Sequence, residues 1–252
     1  MIFYFTATGN SKYAAEKLQA AFGGNMEDIS VAVRNGRLNY RIPEGETLFF
    51  VFPVYYYDMP KIVREFIEKA DFEGEGTPVC AVGTCGSSSG RCDRTMARLI
   101  KAKGMDFKAF YQVVMPENYL AMFKVPLPEE QVMILRRSDR ELNDIVDDIK
   151  FGFRMGRKSG LAGRTGSALA QIVYRNGRPT KKFYADDSCI SCGICQTLCV
   201  FDVIKIAGDG KPAWTKDRCA HCMACISRCP KQAIQYGSGT KKKVRFINPS
   251  LK

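Results

Sequence analysis

Eight of the eleven cysteines in this 252-residue chain fall between Cys189 and Cys229. They form "CISCGICQTLC" at 189–199 and "CAHCMACISRCP" at 219–230, two copies of C-x2-C-x2-C-x3-C. Cys189, Cys192, Cys195 and Cys199 recur thirty residues later as Cys219, Cys222, Cys225 and Cys229, an internal duplication of a small metal-binding unit. In an iron–sulfur cubane each iron takes one thiolate, so a C-x2-C-x2-C loop can wrap three corners. Structural zinc also uses C-x2-C pairs, but eight thiolates in two such runs are wrongly grouped for simple four-cysteine fingers. A secreted disulfide scaffold would need an export signal, whereas the chain opens on strand-like "MIFYF" with no basic start and no cleavage site. The longest apolar stretch, "LFFVFPVYYY" from Leu48, is far short of the roughly 20 residues of a spanning helix and is broken by Pro53. The expectation is a protein of the reducing cytoplasm with no membrane span and with its clustered cysteines on metal.

A second chemistry is suggested by "FTATGNS" at 5–11, which follows an apolar run and precedes the helical pattern "KYAAEKLQAAF". Hydroxyls from Thr6, Thr8 and Ser11 and the first N–H groups of a helix suit a phosphate. The loop holds no lysine or arginine, and neither G-x-x-x-x-G-K-[ST] nor G-x-G-x-x-G is present, so triphosphate and nicotinamide sites are not indicated. Alone, the motif could equally be an ordinary capped helix start. Two further loops have ring-binding character: "PVYYYDMP" at 53–60 has three tyrosines whose flat faces can stack on a planar group, and "TCGSSSG" at 84–90 is small enough for close backbone approach. "MPENY" at 115–119, with Asn118 and Tyr119, is a candidate rim.

These loops follow strands. Apolar runs at 1–5, 47–53, 78–84 and 107–115 alternate with helical patterns reaching Phe22, from Lys61 to about Ala70, from about Arg91 to Lys103, and from about Glu129 to Phe151. A four-residue run at Met26–Ile29 adds a fifth strand. Strands alternating with helices predict a doubly wound α/β domain with a five-stranded parallel sheet, whose ligand lies beyond the carboxyl ends of the strands.

With all three loops in place, residues 1 to about 150 resemble the flavodoxins, whose phosphate loop reads T-x-T-G-x-[ST]. The resemblance implies that Thr6, Thr8, Gly9, Asn10 and Ser11 hold the phosphate of FMN. It also implies that Tyr55 or Tyr56, with Thr84, Cys85 and Gly86, flanks the flavin ring. Pro53 and Gly90 belong to the same two loops, and Asn118 to the rim. The cysteine runs resemble those of bacterial two-cluster ferredoxins, in which the fourth cysteine of each run serves the other cluster. That implies one [4Fe–4S] cluster on Cys189, Cys192, Cys195 and Cys229, and a second on Cys219, Cys222, Cys225 and Cys199. Cys199 is followed by Val200 where the pattern expects proline, a departure that leaves the ligand count unchanged. Ile190, Ile194, Val200, Ile204, Ile226 and Ile234 would shield the clusters from water. His221, the chain's one histidine, is read as an outer or solvent-facing residue, and Cys80 and Cys92 as buried packing residues. Cys85 has no base nearby in sequence to make it a reactive thiol.

Charge marks the boundaries. Residues 1–149 carry 18 basic and 21 acidic side chains, 150–183 nine basic and none acidic, 184–236 six and five, and the tail from Gly237 five basic and none acidic. The order predicted is a flavodoxin-like FMN domain at 1–150, a basic linker at 151–183, a small α+β ferredoxin-like domain at 184–236, and a basic tail at 237–252. The linker reads as a solvated connector, with one short helix near Ser167–Val173, or as a docking surface for acidic redox partners. No recognition motif supports nucleic-acid binding. The whole resembles the EFR family of flavodoxin–ferredoxin fusions, which implies an electron carrier rather than a substrate-specific catalyst. No Ser-His-Asp or acid–base constellation competes with that reading. The alternatives are an FMN-dependent reductase of a quinone-like acceptor fed by the ferredoxin domain, and a scaffold that has lost FMN.

Overall fold

The computed structural model describes residues 1–74, 76–153, 170–174 and 177–251. The first unit contains β1 (Ile2–Tyr4), α1 (Asn10–Phe22), β2 (Met26–Asp28), α2 (Ile29–Arg34), β3 (Asn39–Arg41), β4 (Leu48–Pro53) and α3 (Lys61–Lys69). It continues through β5 (Asp71–Glu73), β6 (Pro78–Cys85), α4 (Cys92–Ala102), β7 (Asp106–Val114) and α5 (Pro128–Lys150). Five strands form one parallel sheet in the order β2-β1-β4-β6-β7. Counting only these five, the order is 2-1-3-4-5, and the direction of winding reverses between β1 and β4.

The alternation of side chains along each strand sorts the apolar residues onto two faces. Phe3, Phe5, Phe50 and Phe52 pack against Ile62, Val63 and Phe66 of α3 and Met96 and Leu99 of α4. Ile2, Phe49 and Val51 face the other way, onto Ala14, Ala15 and Leu18 of α1 and Leu142 and Ile145 of α5. Phe3 and Phe50 are completely buried, each a contribution of about 1.5–3 kcal/mol to the core. The short β3–β5 pair and α2 were not anticipated from the sequence. Three-residue strands have too little periodicity to stand out, and α2 is only signalled by Asp28, whose Oδ1 accepts the Ser30 N–H at 2.7 Å.

The second unit holds β8 (Phe183–Ala185), α6 (Ile194–Leu198), β9 (Ile204–Ile206), β10 (Pro212–Trp214), α7 (Ala224–Ser227) and β11 (Ile234–Tyr236). β9 pairs antiparallel with β10, and β8 with β11. The duplication is repeated in the backbone: left-handed residues at Ser191, Gly193 and Asp202 recur thirty positions on at His221, Met223 and Gln232.

The two units share a core. Leu120 and Val125, from the loop after β7, pack with Phe183, Met223 and Phe246, while Val200 and Phe201 reach back onto the α3/α4 face. Of the expected shielding residues, Ile204, Ile226 and Ile234 are buried and Val200 is part of this junction. Ile190 and Ile194 are instead 56 % and 41 % exposed, because the first cysteine loop forms an outer edge. In the linker, the start of the expected helix, at 167–169, lies outside the described residues, and 170–174 are helical. Among the described residues no helix is long and apolar enough to cross a membrane.

Candidate flavin and iron–sulfur site

A cavity of about 740 Å³ lies beyond the carboxyl ends of β1, β4 and β6, within the size range of small-molecule sites. Its wall brings together Thr6, Thr8, Asn10 and Ser11, then Pro53 with Tyr55, Tyr56 and Tyr57, then Thr84, Cys85 and Gly86, and finally Asn118 and Tyr119. All four loops singled out from the sequence therefore meet at the point where strand order reverses. Gly9 and Gly90 are not in the wall; each supports a wall segment from behind.

The tyrosines sit on a tight reversal. Tyr55 and Asp58 exchange backbone hydrogen bonds, Tyr55 N–H to Asp58 O at 2.8 Å and Asp58 N–H to Tyr55 O at 3.1 Å. The two central residues, Tyr56 and Tyr57, are both left-handed, with φ of 51° and 61°. Asn and Gly normally occupy such positions, so two tyrosines here carry a strain of roughly 1 kcal/mol or more each. Surrounding groups hold the turn: Arg91 N–H donates to Tyr57 O at 2.9 Å and Gln171 Nε2 to Tyr56 O at 2.8 Å. Gly90, at φ +59°, lies against it so closely that an added Cβ would stand 2.3 Å from Tyr57 O. Gly90→Ala is expected to push the tyrosine turn out of the cavity wall and weaken flavin binding. Gly45→Ala, at φ +79° but in open space, should cost about 1 kcal/mol and leave flavin affinity unchanged. Fluorescence titration of the two variants with FMN distinguishes these outcomes.

The first loop is held by its own hydroxyls. Gly9 N–H donates to Thr6 Oγ1 at 3.0 Å, Asn118 Nδ2 donates to Thr8 Oγ1, and the Ser11 and Thr84 hydroxyls are 2.8 Å apart. The opening N–H groups of α1 at Asn10 and Ser11 have no partner in the helix by construction, and both residues line the cavity. Cys85 is buried and its thiol is pushed up to about 12 by that burial, which leaves it protonated and unreactive.

The eight clustered thiols divide between two small cavities. Cys189, Cys192, Cys195 and Cys229 line one, Cys199, Cys219 and Cys222 the other, and Cys225 borders both. Within each, the C-x2-C-x2-C loop bends through the left-handed residues that recur at thirty-residue spacing, and so points three thiols inward. Among the described residues no three Cys, His or acidic side chains converge as ligands of a single ion would. Thiols spread around a cavity suit a cluster in which each takes its own iron.

Sequence reasoning missed how the two centres adjoin. Ala220, His221 and Cys222, from the second cysteine loop, also line the large cavity. Tyr56 Oη and Tyr119 Oη are 2.6 Å apart, and Tyr119 Oη is 3.1 Å from His221 Nδ1. His221 Nε2 faces Pro179 O at 3.1 Å. A carbonyl can only accept, so Nε2 carries the proton and Nδ1 accepts from Tyr119. Burial lowers His221 to about 4, keeping the ring neutral, and its backbone N–H donates to Cys219 Sγ at 3.3 Å. His221 is thus an interior tie between the tyrosine turn and the second cysteine loop, not a solvent-facing side chain. The described end of the linker takes part as well: Arg178 stacks 3.9 Å from the Tyr174 ring and donates to Cys219 O at 2.7 Å, so these two residues pack against the second cysteine loop. These contacts join residues far apart in sequence, and only the position of His221 inside a ligand loop hinted at them.

The family described as Flavodoxin domain matches residues 1–110, and that described as 4Fe-4S dicluster domain matches residues 188–234. The chain joins a flavodoxin domain to a 4Fe-4S dicluster domain. The dicluster region is 40 % identical over 46 residues to one subunit of the Na(+)-translocating ferredoxin:NAD(+) oxidoreductase complex of Acetobacterium woodii, covering 18 % of this chain and 14 % of that one. It is 33 % identical over 52 residues to a ferredoxin of Pyrobaculum islandicum, covering 21 % of this chain and 49 % of that one. The chain therefore spans less than half the length of these curated relatives. Among solved structures, a flavodoxin from Streptococcus pneumoniae aligns at 16 % identity and TM-score 0.35 over 57 % of this chain and 97 % of its own. A two-electron reduced flavodoxin from Megasphaera elsdenii aligns at 14 % and 0.33 over 57 % and 99 %.

The flavodoxin domain implies FMN and the dicluster domain implies iron–sulfur clusters. The residues present fit both. Tyr55 Oη, in the wall of the large cavity, is buried without a partner among the described residues, as a hydroxyl awaiting a polar ring edge would be. Arg245 Nε and Nη1 are likewise buried without a partner among the described residues, and Cys229 lies within electrostatic reach of this guanidinium. An anionic cluster on the Cys229 thiolate would satisfy it.

Proposed function

We propose that the chain is a cytoplasmic electron-transfer flavo-iron–sulfur protein, passing electrons between two [4Fe–4S] clusters and FMN and on to redox partners. The observation that carries this reading is the presence of Cys222, with Ala220 and His221, in the wall of the cavity that also holds the phosphate loop and the tyrosine turn. Thr6, Thr8, Asn10 and Ser11 would bind the FMN phosphate, and Tyr55 and Tyr56 would orient the ring. Cys199, Cys219, Cys222 and Cys225 would hold the inner cluster, and Cys189, Cys192, Cys195 and Cys229 the outer one. Bound FMN would supply exchange of one or two electrons, and each cluster exchange of one. The tie through Tyr56, Tyr119 and His221 keeps the second cysteine loop against the cavity, which fixes the separation of the two centres.

The outer cluster's loop offers the natural port. Cys192 is exposed there, and Ile190, Ile194 and Lys231 border the same cavity. An apolar edge flanked by positive charge suits brief contact with an acidic redox protein, and that association should slow as salt rises.

Anaerobic purification is expected to give about eight irons and about one FMN per chain. One-electron reduction of the clusters should then bleach the flavin at a rate independent of protein concentration. Zinc in place of iron, absence of flavin, or a rate proportional to concentration would overturn the proposal. A second reading, reduction of a quinone-like acceptor, is favoured by the exposed apolar side chains of Met122 and Phe123 at the cavity rim. Turnover of a soluble quinone without any added protein partner would support it over simple carriage.

A further inference from the structure

The basic segment after β11 is packed rather than solvated. Lys243 Nζ donates to the carbonyls of Leu120 at 2.7 Å and Phe123 at 3.0 Å, on the rim of the large cavity. Arg245 donates to Gln235 Oε1 at 2.9 Å, and Phe246 is buried in the core shared by the two domains. The chain then crosses the back of the phosphate loop. Asn248 is 1 % exposed; its N–H donates to Thr8 O at 2.7 Å and its Nδ2 to Asn10 Oδ1 at 3.2 Å. Ser250 Oγ donates to Gly9 O at 3.3 Å, and Lys12 Nζ donates to Ser250 O at 2.9 Å.

Gly9 shows how close the fit is. Its φ is +100°, and an added Cβ would lie 2.8 Å from Asn248 Cβ and 2.9 Å from Leu251 Cγ. Each carbonyl that the segment engages fixes a peptide plane, because C=O and the following N–H point in opposite directions. With Thr8 O drawn back to Asn248, the Gly9 N–H is turned forward onto Thr6 Oγ1, and the Thr6 hydroxyl is set in turn. A loop that has no lysine or arginine to draw in a phosphate depends on preset donors, and they are set from behind.

We propose that residues 246–251 are a strap that presets the phosphate loop, with Asn248 as its positioning residue, so that affinity for FMN depends on a segment delivered by the dicluster domain. The proposal rests on the FMN reading above and adds a dependence of that site on residues some 240 positions away.

The test compares FMN with riboflavin, which has the same ring and no phosphate. Full-length protein with its clusters intact and its flavin removed is titrated anaerobically with each, following flavin fluorescence. Asn248→Ala keeps the backbone N–H to Thr8 O but deletes the side-chain bonds to Asn10 Oδ1 at 3.2 Å and from the Ser250 N–H at 3.1 Å that seat the segment. It is expected to weaken FMN roughly tenfold, the size of one to two lost hydrogen bonds, and to leave riboflavin within about twofold. Ser250→Ala, which deletes the weaker contact, should weaken FMN by about two- to threefold with riboflavin again unchanged. Equal losses for the two ligands, or no loss for FMN, would overturn the strap. Should Asn248→Ala lose its iron or fail to fold, Ser250→Ala decides alone by the same ratio. Wild-type protein that binds neither flavin would refute the FMN reading, a result distinct from failure of the strap.

Discussion

Replacing Cys222 by alanine is expected to halve the iron content, from about eight to about four per chain, and to isolate a flavin that remains bound. Cys222 lies between the centres: it lines the inner thiol cavity together with Cys199 and Cys219, and it also lines the flavin cavity. Loss of this thiolate removes the inner cluster but leaves the phosphate loop intact, since among the described residues its hydrogen bonds run to Thr6, Thr84 and Asn118 and not to residues 219–225. Cys192→Ala is the control of opposite position. It also removes about four irons, but at the exposed outer loop, away from the flavin wall. In Cys192→Ala, electrons placed on the remaining cluster should still reach the flavin within the molecule; in Cys222→Ala they should not. Iron assays combined with stopped-flow reduction at two protein concentrations read both effects. Equal retention of intramolecular flavin reduction in the two variants would show that the inner cluster is not the link.

How much of this could be read in advance depended on the range of the interactions. The continuous apolar runs of β4 and β6 and the alternation of helices made the parallel sheet legible, because strand and helix periods are local. The loop at Thr6–Ser11 and the thirty-residue repeat of cysteines were legible for the same reason: their chemistry lies in residues a few positions apart. The Ile190 and Ile194 positions failed because apolarity alone does not tell whether an edge faces a core or a partner. The assembly of one domain on the other was not legible at all. Tyr119 with His221, Arg178 with Cys219 O and Asn248 with Thr8 O join residues between 41 and some 240 positions apart, and no pattern in either segment announces the other. The basic, polar composition of the tail left its order open, and the structure shows its donors on loop carbonyls, Lys243 Nζ on Leu120 O and the Asn248 N–H on Thr8 O.

The largest loss of stability outside the core is expected at Asp58, which is completely buried beneath the tyrosine turn. Its Oδ1 accepts the Met59 N–H at 2.8 Å, and its Oδ2 receives Thr95 Oγ1 at 3.1 Å with Arg64 and Arg91 both at 3.2 Å. One carboxylate therefore ties the turn to α3 and α4 at once. Removing a buried carboxylate from such a set typically costs 3–5 kcal/mol, but Arg64 and Arg91 are 25 % and 37 % exposed and can recover water. Roughly 2–3 kcal/mol is the expected cost of Asp58→Ala, together with release of the strain in Tyr56 and Tyr57. Asp58→Asn should be milder in volume yet still poor, because an amide NH2 turned toward two guanidinium groups sets donor against donor. Both variants should therefore lose flavin affinity along with stability, whereas a core truncation such as Leu99→Ala on α4 should lose stability alone. Urea unfolding and FMN titration measured on the three variants separate the two effects. If Asp58→Ala unfolds within about 0.5 kcal/mol of wild type, the carboxylate is not what holds the strained turn in the cavity wall.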